Sequence, residues 1–146
     1  PELIVASRRI NDGMGTVVSG EVMRLMNERR IHVVDANVLI LGLAFKENCP
    51  DLRNTKVSSI VRDLEAVHAH VDVHDPWVDP EEAERELGFP ITQELRDRHY
   101  DAVIIAVAHE QFREMGIERI RALCKGHSVV FDVKYLFDKA DTDGRI

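Results

Sequence analysis

The stretch Asn37-Val38-Leu39-Ile40-Leu41-Gly42-Leu43 decides the fold. From Val38 onward it is apolar at every position, without the in-out alternation of a strand that has one face in water. Such a run reads as a strand buried on both faces, the environment of a parallel sheet covered by helices. Ala102-Val103-Ile104-Ile105-Ala106-Val107 has the same character. Further strands are expected over residues 70–74, ending at Asp75-Pro76, and over residues 128–132. Between them Val57, Ile60, Val61, Leu64 and Val67 mark one face of a helix, with Asn54 or Thr55 placed to cap its start. A charged helix is expected over residues 80–87 and another over 117–123. Strands alternating with helices argue for an α/β chain with a Rossmann-like, doubly wound parallel sheet.

Upstream of the sheet, residues 1–30 read as the end of a long connecting helix. Ile10, Met14, Val17, Val18, Val22, Leu25 and Met26 recur at close to the helical period. Gly13, Gly15 and Gly20 weaken it by up to about 1 kcal/mol each relative to Ala, but small residues on an amphipathic helix suit close packing on another helix. Two readings stand: a helix covering its own domain's core, and a connector or dimerisation helix. The boundary with the sheet domain, residues 31–146, is expected near Arg30.

Composition narrows the function. With 146 residues, 45% hydrophobic and 31% charged, the chain reads as about one soluble globular domain. A net charge of −7 speaks against general nucleic-acid binding, which runs on phosphate neutralisation. The longest apolar runs, 38–45 and 102–108, fall far short of the roughly 20 residues that span a bilayer. No signal-peptide pattern opens the chain, which predicts a cytoplasmic protein, and the start on Pro1 suggests a piece of a longer one. Cys49 and Cys124 have no metal or redox spacing and are read as reduced, idle thiols. There is no internal repeat.

Ligands of open parallel sheets bind beyond the carboxyl ends of the strands. Lys46 and Arg53 carry the most weight there, because they flank a strand-to-helix loop where the helix N-terminus adds partial positive charge and free N–H groups. One reading is an anion site. The other pairs them with Glu47 and Asp51 on a solvated loop. The sequence Gly42-Leu43-Ala44-Phe45-Lys46 is not a Gly-x-Gly-x-x-Gly turn, and no P-loop is present, so a sugar nucleotide fits better than a dinucleotide held in the standard way. His70, Asp72 and His74 share one strand face, as a zinc site or as a polar edge; no metal is expected. His109 reads as a base or ligand contact, or as a capping or structural histidine. The five carboxylates between Asp79 and Glu86 read as a solvated helix face.

Three stretches carry a resemblance: Gly42-Leu43-Ala44-Phe45-Lys46-Glu47-Asn48-Cys49-Pro50-Asp51-Leu52-Arg53-Asn54-Thr55, then Asp75-Pro76-Trp77-Val78-Asp79, then Ala106-Val107-Ala108-His109-Glu110-Gln111-Phe112. Together they resemble the C-terminal domain of the UDP-sugar 6-dehydrogenases, above all the branch acting on UDP-N-acetylglucosamine or UDP-N-acetylgalactosamine in Vi-antigen and O-antigen synthesis. Arg9-Ile10-Asn11-Asp12-Gly13-Met14-Gly15 is similar to the end of that family's central helix. The resemblance implies a three-part enzyme: an N-terminal NAD domain, a central helix that makes a homodimer, and a C-terminal domain that holds UDP. It implies twofold oxidation of the sugar C6 alcohol to a carboxylate with two NAD, through a cysteine-bound thiohemiacetal and thioester.

By position, the resemblance implies that Phe45 and Lys46 contact the UDP-sugar and that Arg53 reaches the NAD pyrophosphate. Many members carry a substrate-contacting arginine pair where this chain has Asp132-Val133-Lys134-Tyr135, which leaves a cation only at Lys134. The family's catalytic cysteine motif, its NAD fingerprint and its catalytic lysine and asparagine have no match here. No catalytic residue is therefore expected in these 146 residues, and no dehydrogenase activity from them alone. The rival readings are a stand-alone flavodoxin-like or receiver-like binding module and a purely structural role for the first helix. A receiver carries an acidic cluster at its strand ends, whereas the first strand here ends in Phe45-Lys46.

Overall fold

The computed structural model describes residues 2–53 and 55–145, with residues 2–12 as helix backbone only. Along the chain run α1 (Glu2–Glu28), β1 (Asn37–Leu41), α2 (Val57–Ala66), β2 (His70–His74), α3 (Pro80–Leu87), β3 (Tyr100–Ile105), α4 (Glu110–Leu123) and β4 (Cys124–Asp132). The strands are all parallel and lie in the order β2-β1-β3-β4. The chain leaves β1 on one side for β2, then crosses back to β3 and β4 on the other. Strand order therefore reverses between β1 and β3, and the crevice at their carboxyl ends is the topological switch point. This is the expected Rossmann-like, doubly wound α/β sheet.

The apolar strand runs are explained by burial on both faces. Val38, Ile40, Ala102, Ile104, Val129 and Phe131 face one layer, with Val18, Val22 and Met26 of α1 and Ile60 and Leu64 of α2. Their neighbours Leu39, Leu41, Val103, Ile105 and Val130 face the other, with Phe112, Ile120 and Leu123 of α4. Alternate residues thus enter opposite layers that are both apolar, so hydropathy along the strand does not alternate.

Element ends depart from the sequence expectation for local reasons. β1 stops at Leu41 because Gly42 turns the chain with φ +104°. β3 begins two residues before residue 102, at Tyr100, whose hydroxyl donates to Asp72 at 2.7 Å. β4 begins at Cys124, before an irregularity in its register with β3. α4 starts at Glu110 rather than 117, since Gly116 (φ 80°, ψ 159°) interrupts the helix and divides its periodicity. α3 is bounded as expected: Asp79 caps its first turn, Pro80 follows, and Gly88 ends it in the left-handed conformation.

On α1, Val18, Val22, Leu25 and Met26 are buried, whereas Met14 and Val17 are 41% and 51% exposed. Ile10 and the cap candidate Asn54 lie outside the residues so described. Gly15 sits at the crossing of α1 and α2: a Cβ there would fall 2.7 Å from the Lys56 carbonyl oxygen and clash with Ser59. No helix among the described residues is long and apolar enough to cross a membrane.

Candidate functional site

The loop from Gly42 to Lys56 is positioned by a buried polar network. Asp75, at the end of β2, is fully buried as a side chain. Its Oδ2 accepts the Leu43 and Ala44 N–H groups at 2.7 and 2.9 Å, and its Oδ1 accepts the Trp77 N–H at 2.8 Å. His109, also fully buried, lies 2.9 Å from Asp75 Oδ2 through Nε2, while its Nδ1 accepts the Asn48 N–H at 2.9 Å. A backbone N–H can only donate, so Nδ1 carries no proton and the ring donates to Asp75 through Nε2–H. The Asn48 side chain then accepts the Glu110 N–H at the start of α4. Trp77 Nε1–H donates to Gln111 at 3.0 Å. Burial pushes the Asp75 carboxyl up, but the bonds from His109 and the three amides outweigh it and hold the group below the ordinary carboxylate range.

Three sequence stretches that are far apart thereby meet at one end of the sheet. His109 takes its structural role: it stands at the N-cap of α4, and its side chain bonds Asp75 and Asn48 rather than the helix.

Beside this network lies a cavity of about 280 Å³ at the switch point, lined by Ala44, Phe45, Lys46, Thr55, Lys56, Val57, Ala106, Val107 and Lys134. Of the residues singled out from sequence, the structure brings Phe45, Lys46 and Lys134 together here. Lys134 is placed by the buried Asp132, whose carboxylate accepts the Lys134 and Phe137 N–H groups at 3.1 and 2.9 Å. The position of Arg53 is different. Its side chain is 85% exposed, it does not line the cavity, and it holds Asp51 through paired bonds of 2.9–3.3 Å. Those bonds hold the Asp51 carboxyl down at about 2.

Lys56 is the residue that sequence reasoning passed over. It occupies the N-cap of α2 and makes no side-chain cap, while the Thr55 hydroxyl accepts the Val57 N–H at 3.2 Å. Burial, and the charge of Lys134 on the same cavity, push Lys56 down to about 8. Its one signal in the sequence was a cation at the start of a helix that follows a buried strand.

The remaining candidates are dispersed. His70 lies 3.4 Å from Asp35, Asp72 accepts from Tyr100, and His74 Nδ1 lies 2.8 Å from the Thr92 carbonyl oxygen. Among the described residues no group of three or more His, Cys, Asp or Glu side chains is placed to hold a metal ion. Both cysteines are free, and burial pushes the Cys124 thiol up, away from thiolate chemistry.

Comparison with known proteins gives one family. Residues 39–139 match the model of the UDP-glucose/GDP-mannose dehydrogenase family, UDP binding domain. The chain is 51% identical over its 146 residues to a UDP-N-acetyl-D-glucosamine 6-dehydrogenase of Pseudomonas aeruginosa, covering 35% of that protein. It is 46% identical over the same span to a UDP-N-acetyl-D-glucosamine 6-dehydrogenase of Salmonella typhi, covering 34%. The chain thus spans about a third of the length of these curated relatives. In fold it is similar to the NDP-N-acetyl-D-galactosaminuronic acid dehydrogenase of Methanosarcina mazei, with a TM-score of 0.78 at 21% identity over 94% of this chain and 28% of that one. A family match that runs from within β1 to beyond β4 and takes in the whole cavity loop is decisive: the chain belongs to the UDP-glucose/GDP-mannose dehydrogenase family, as a UDP binding domain.

Proposed function

We propose that this chain is the C-terminal UDP-binding domain of an NAD-dependent UDP-N-acetylhexosamine 6-dehydrogenase that oxidises the C6 alcohol to a carboxylate in surface polysaccharide synthesis. The observation that carries the reading is the switch-point cavity, where Phe45, Lys46 and Lys134 converge between β1, β3 and β4. An aromatic ring and two cations suit a nucleoside diphosphate. The relatives' names support the N-acetylhexosamine branch. A receiver-like module is not favoured: the family match excludes it as the simplest account, and the cavity is lined by lysines rather than carboxylates.

In this reading residues 31–146 form the UDP-binding domain and residues 1–30 end a connecting helix through which the cytoplasmic enzyme pairs as a homodimer. NAD, when bound, supplies the hydride acceptor. The turn after β1 does not fit it as a principal site, because a Cβ on Gly42 would lie 2.6 Å from the Val107 Cβ, so the turn is closed by protein. Arg53, exposed on the cavity loop, is the residue suited to reach a pyrophosphate held by another domain.

Titration of this chain with UDP, followed by backbone NMR, tests the proposal. Half a site should bind in the millimolar range, about 4 kcal/mol, with shifts at Phe45, Lys46, Ala106 and Lys134 that Lys46→Ala abolishes. An absence of shifts at tens of millimolar UDP would refute UDP binding by this chain.

A further inference from the structure

Among the described residues three lysines line the cavity and no carboxylate does, in a chain whose net charge is −7. Like charges gathered without a counter-ion oppose folding, so their convergence points to an anion. Lys56 is anchored at its root: its carbonyl accepts the Ser59 hydroxyl at 2.8 Å and abuts Gly15 of α1. Lys134 is anchored by the Asp132 turn. From these two fixed backbones the side chains run into the same cavity from α2 and from the end of β4.

We propose that Lys56 and Lys134 form the diphosphate-recognising pair of this cavity, and that nucleotide binding there is coupled to proton uptake by Lys56. The inference rests on the UDP-binding reading and deepens it by adding Lys56. Among the described residues, the polar groups that share the cavity with Lys56 are Lys46 from the β1 loop, Lys134 from the β4 loop, and Thr55 beside it; the β3 loop contributes Ala106 and Val107. Asp132, on the β4 side, has its oxygens engaged by two amides, and Asp51 is taken by Arg53. Lys56 is thus poised near 8 by burial and by a facing ammonium, and a diphosphate between the two lysines reverses that repulsion. A ligand that requires the charged form draws a proton onto Lys56 as it binds.

UDP-glucose and NAD both carry a diphosphate with no proton to exchange near pH 8, so both serve as probes of this chain, read by methyl NMR at Val57, Ala106 and Val107. For UDP-glucose the affinity should fall roughly fourfold between pH 7.0 and 8.5, in proportion to the protonated fraction of Lys56. Lys56→Arg, permanently charged, should bind with an affinity that is flat across this range, and Lys56→Met should bind weakly and without pH dependence. UDP-glucose binding whose pH dependence survives in Lys56→Arg, or that is flat in the unaltered chain, overturns the role of Lys56 and leaves the UDP-binding reading intact. No binding of UDP-glucose at any pH overturns that reading and this one with it. A Lys56-dependent pH profile with NAD, and none with UDP-glucose, would reassign the pair to the cofactor and overturn the proposal.

Discussion

At the scale of single residues, the site rests on one carboxylate. Asp75 takes four hydrogen bonds from three different parts of the chain, and the Leu43, Ala44 and His109 donors would be left buried without it. Removing one partner of a buried, charge-assisted network costs about 3–5 kcal/mol, so Asp75→Ala should lower stability by that order, read as a drop in urea midpoint at unchanged slope. The same carboxyl gives a pH signature. Its folded pKa lies below the unfolded value near 3.8, so the stability it contributes is present above that value and is lost as pH falls through the folded one. Asp75→Asn should flatten this acid limb in an unfolding series from pH 5 to pH 2. Lys56 gives a slope of the same sign for the opposite reason, since here it is the charged form that the fold penalises. Its folded pKa, about 8, lies below the ordinary lysine value of 10.5, so the unfolded chain holds more protons between the two and stability rises with pH across that window. Lys56→Met should remove this rise and, at pH 7, raise the melting temperature of the ligand-free chain by a few degrees, about 2–4 °C per kcal/mol at this size.

Among the elements, two glycines control how close neighbours can approach. Gly15 lets α1 cross α2 directly over the Lys56 carbonyl. Gly15→Ala adds up to about 1 kcal/mol of helix propensity but drives a methyl group into backbone that cannot retreat without moving the start of α2. The net effect should be a loss of about 1–3 kcal/mol, typical of overpacking. Because Lys56 moves with that backbone, UDP affinity should fall as well; an affinity unchanged in the Gly15→Ala chain would disconnect the helix crossing from the site. Gly42 is more severe, since it combines a φ of +104° with a Cβ position 2.6 Å from Val107. Gly42→Ala is expected to prevent the β1 and β3 ends from closing on each other, with loss of cooperative unfolding.

Over the whole molecule, α1 is divided in its attachments. Its second half places Val18, Val22 and Met26 in the main core, while Met14 and Val17 stand exposed. Burial of each such side chain is worth about 1.5–3 kcal/mol, and a domain's whole stability is about 5–15 kcal/mol. A chain of residues 31–146 is therefore expected not to fold cooperatively, as measured by circular dichroism during thermal unfolding. The 146 residues by themselves are expected to form no NADH from a UDP-sugar, because neither free thiol lines the cavity and Cys124 is buried with its thiol form favoured.

The sequence by itself determined the fold class, and it singled out three of the residues that line the cavity, Phe45, Lys46 and Lys134. Double burial is a local property: Val38 to Leu41 and Ala102 to Ile105 are apolar because both of their faces are covered, and that is visible without knowing what covers them. Phe45 and Lys46 were legible for a related reason, since a ligand loop must follow a buried strand. Strand and helix ends were less so, because Gly42 and Gly116 act through backbone angles that hydropathy does not record. Only the tertiary structure decided that Asp75, His109 and Asn48 form one network, that Arg53 pairs with Asp51 outside the cavity, and that Lys56 meets Lys134. The meetings between distant residues depend on strand order, which brings the ends of β2, β1, β3 and β4 side by side. Residues that meet this way are about 80 positions apart for Lys56 and Lys134, and no periodicity along the chain encodes a contact between loops that only the sheet makes adjacent.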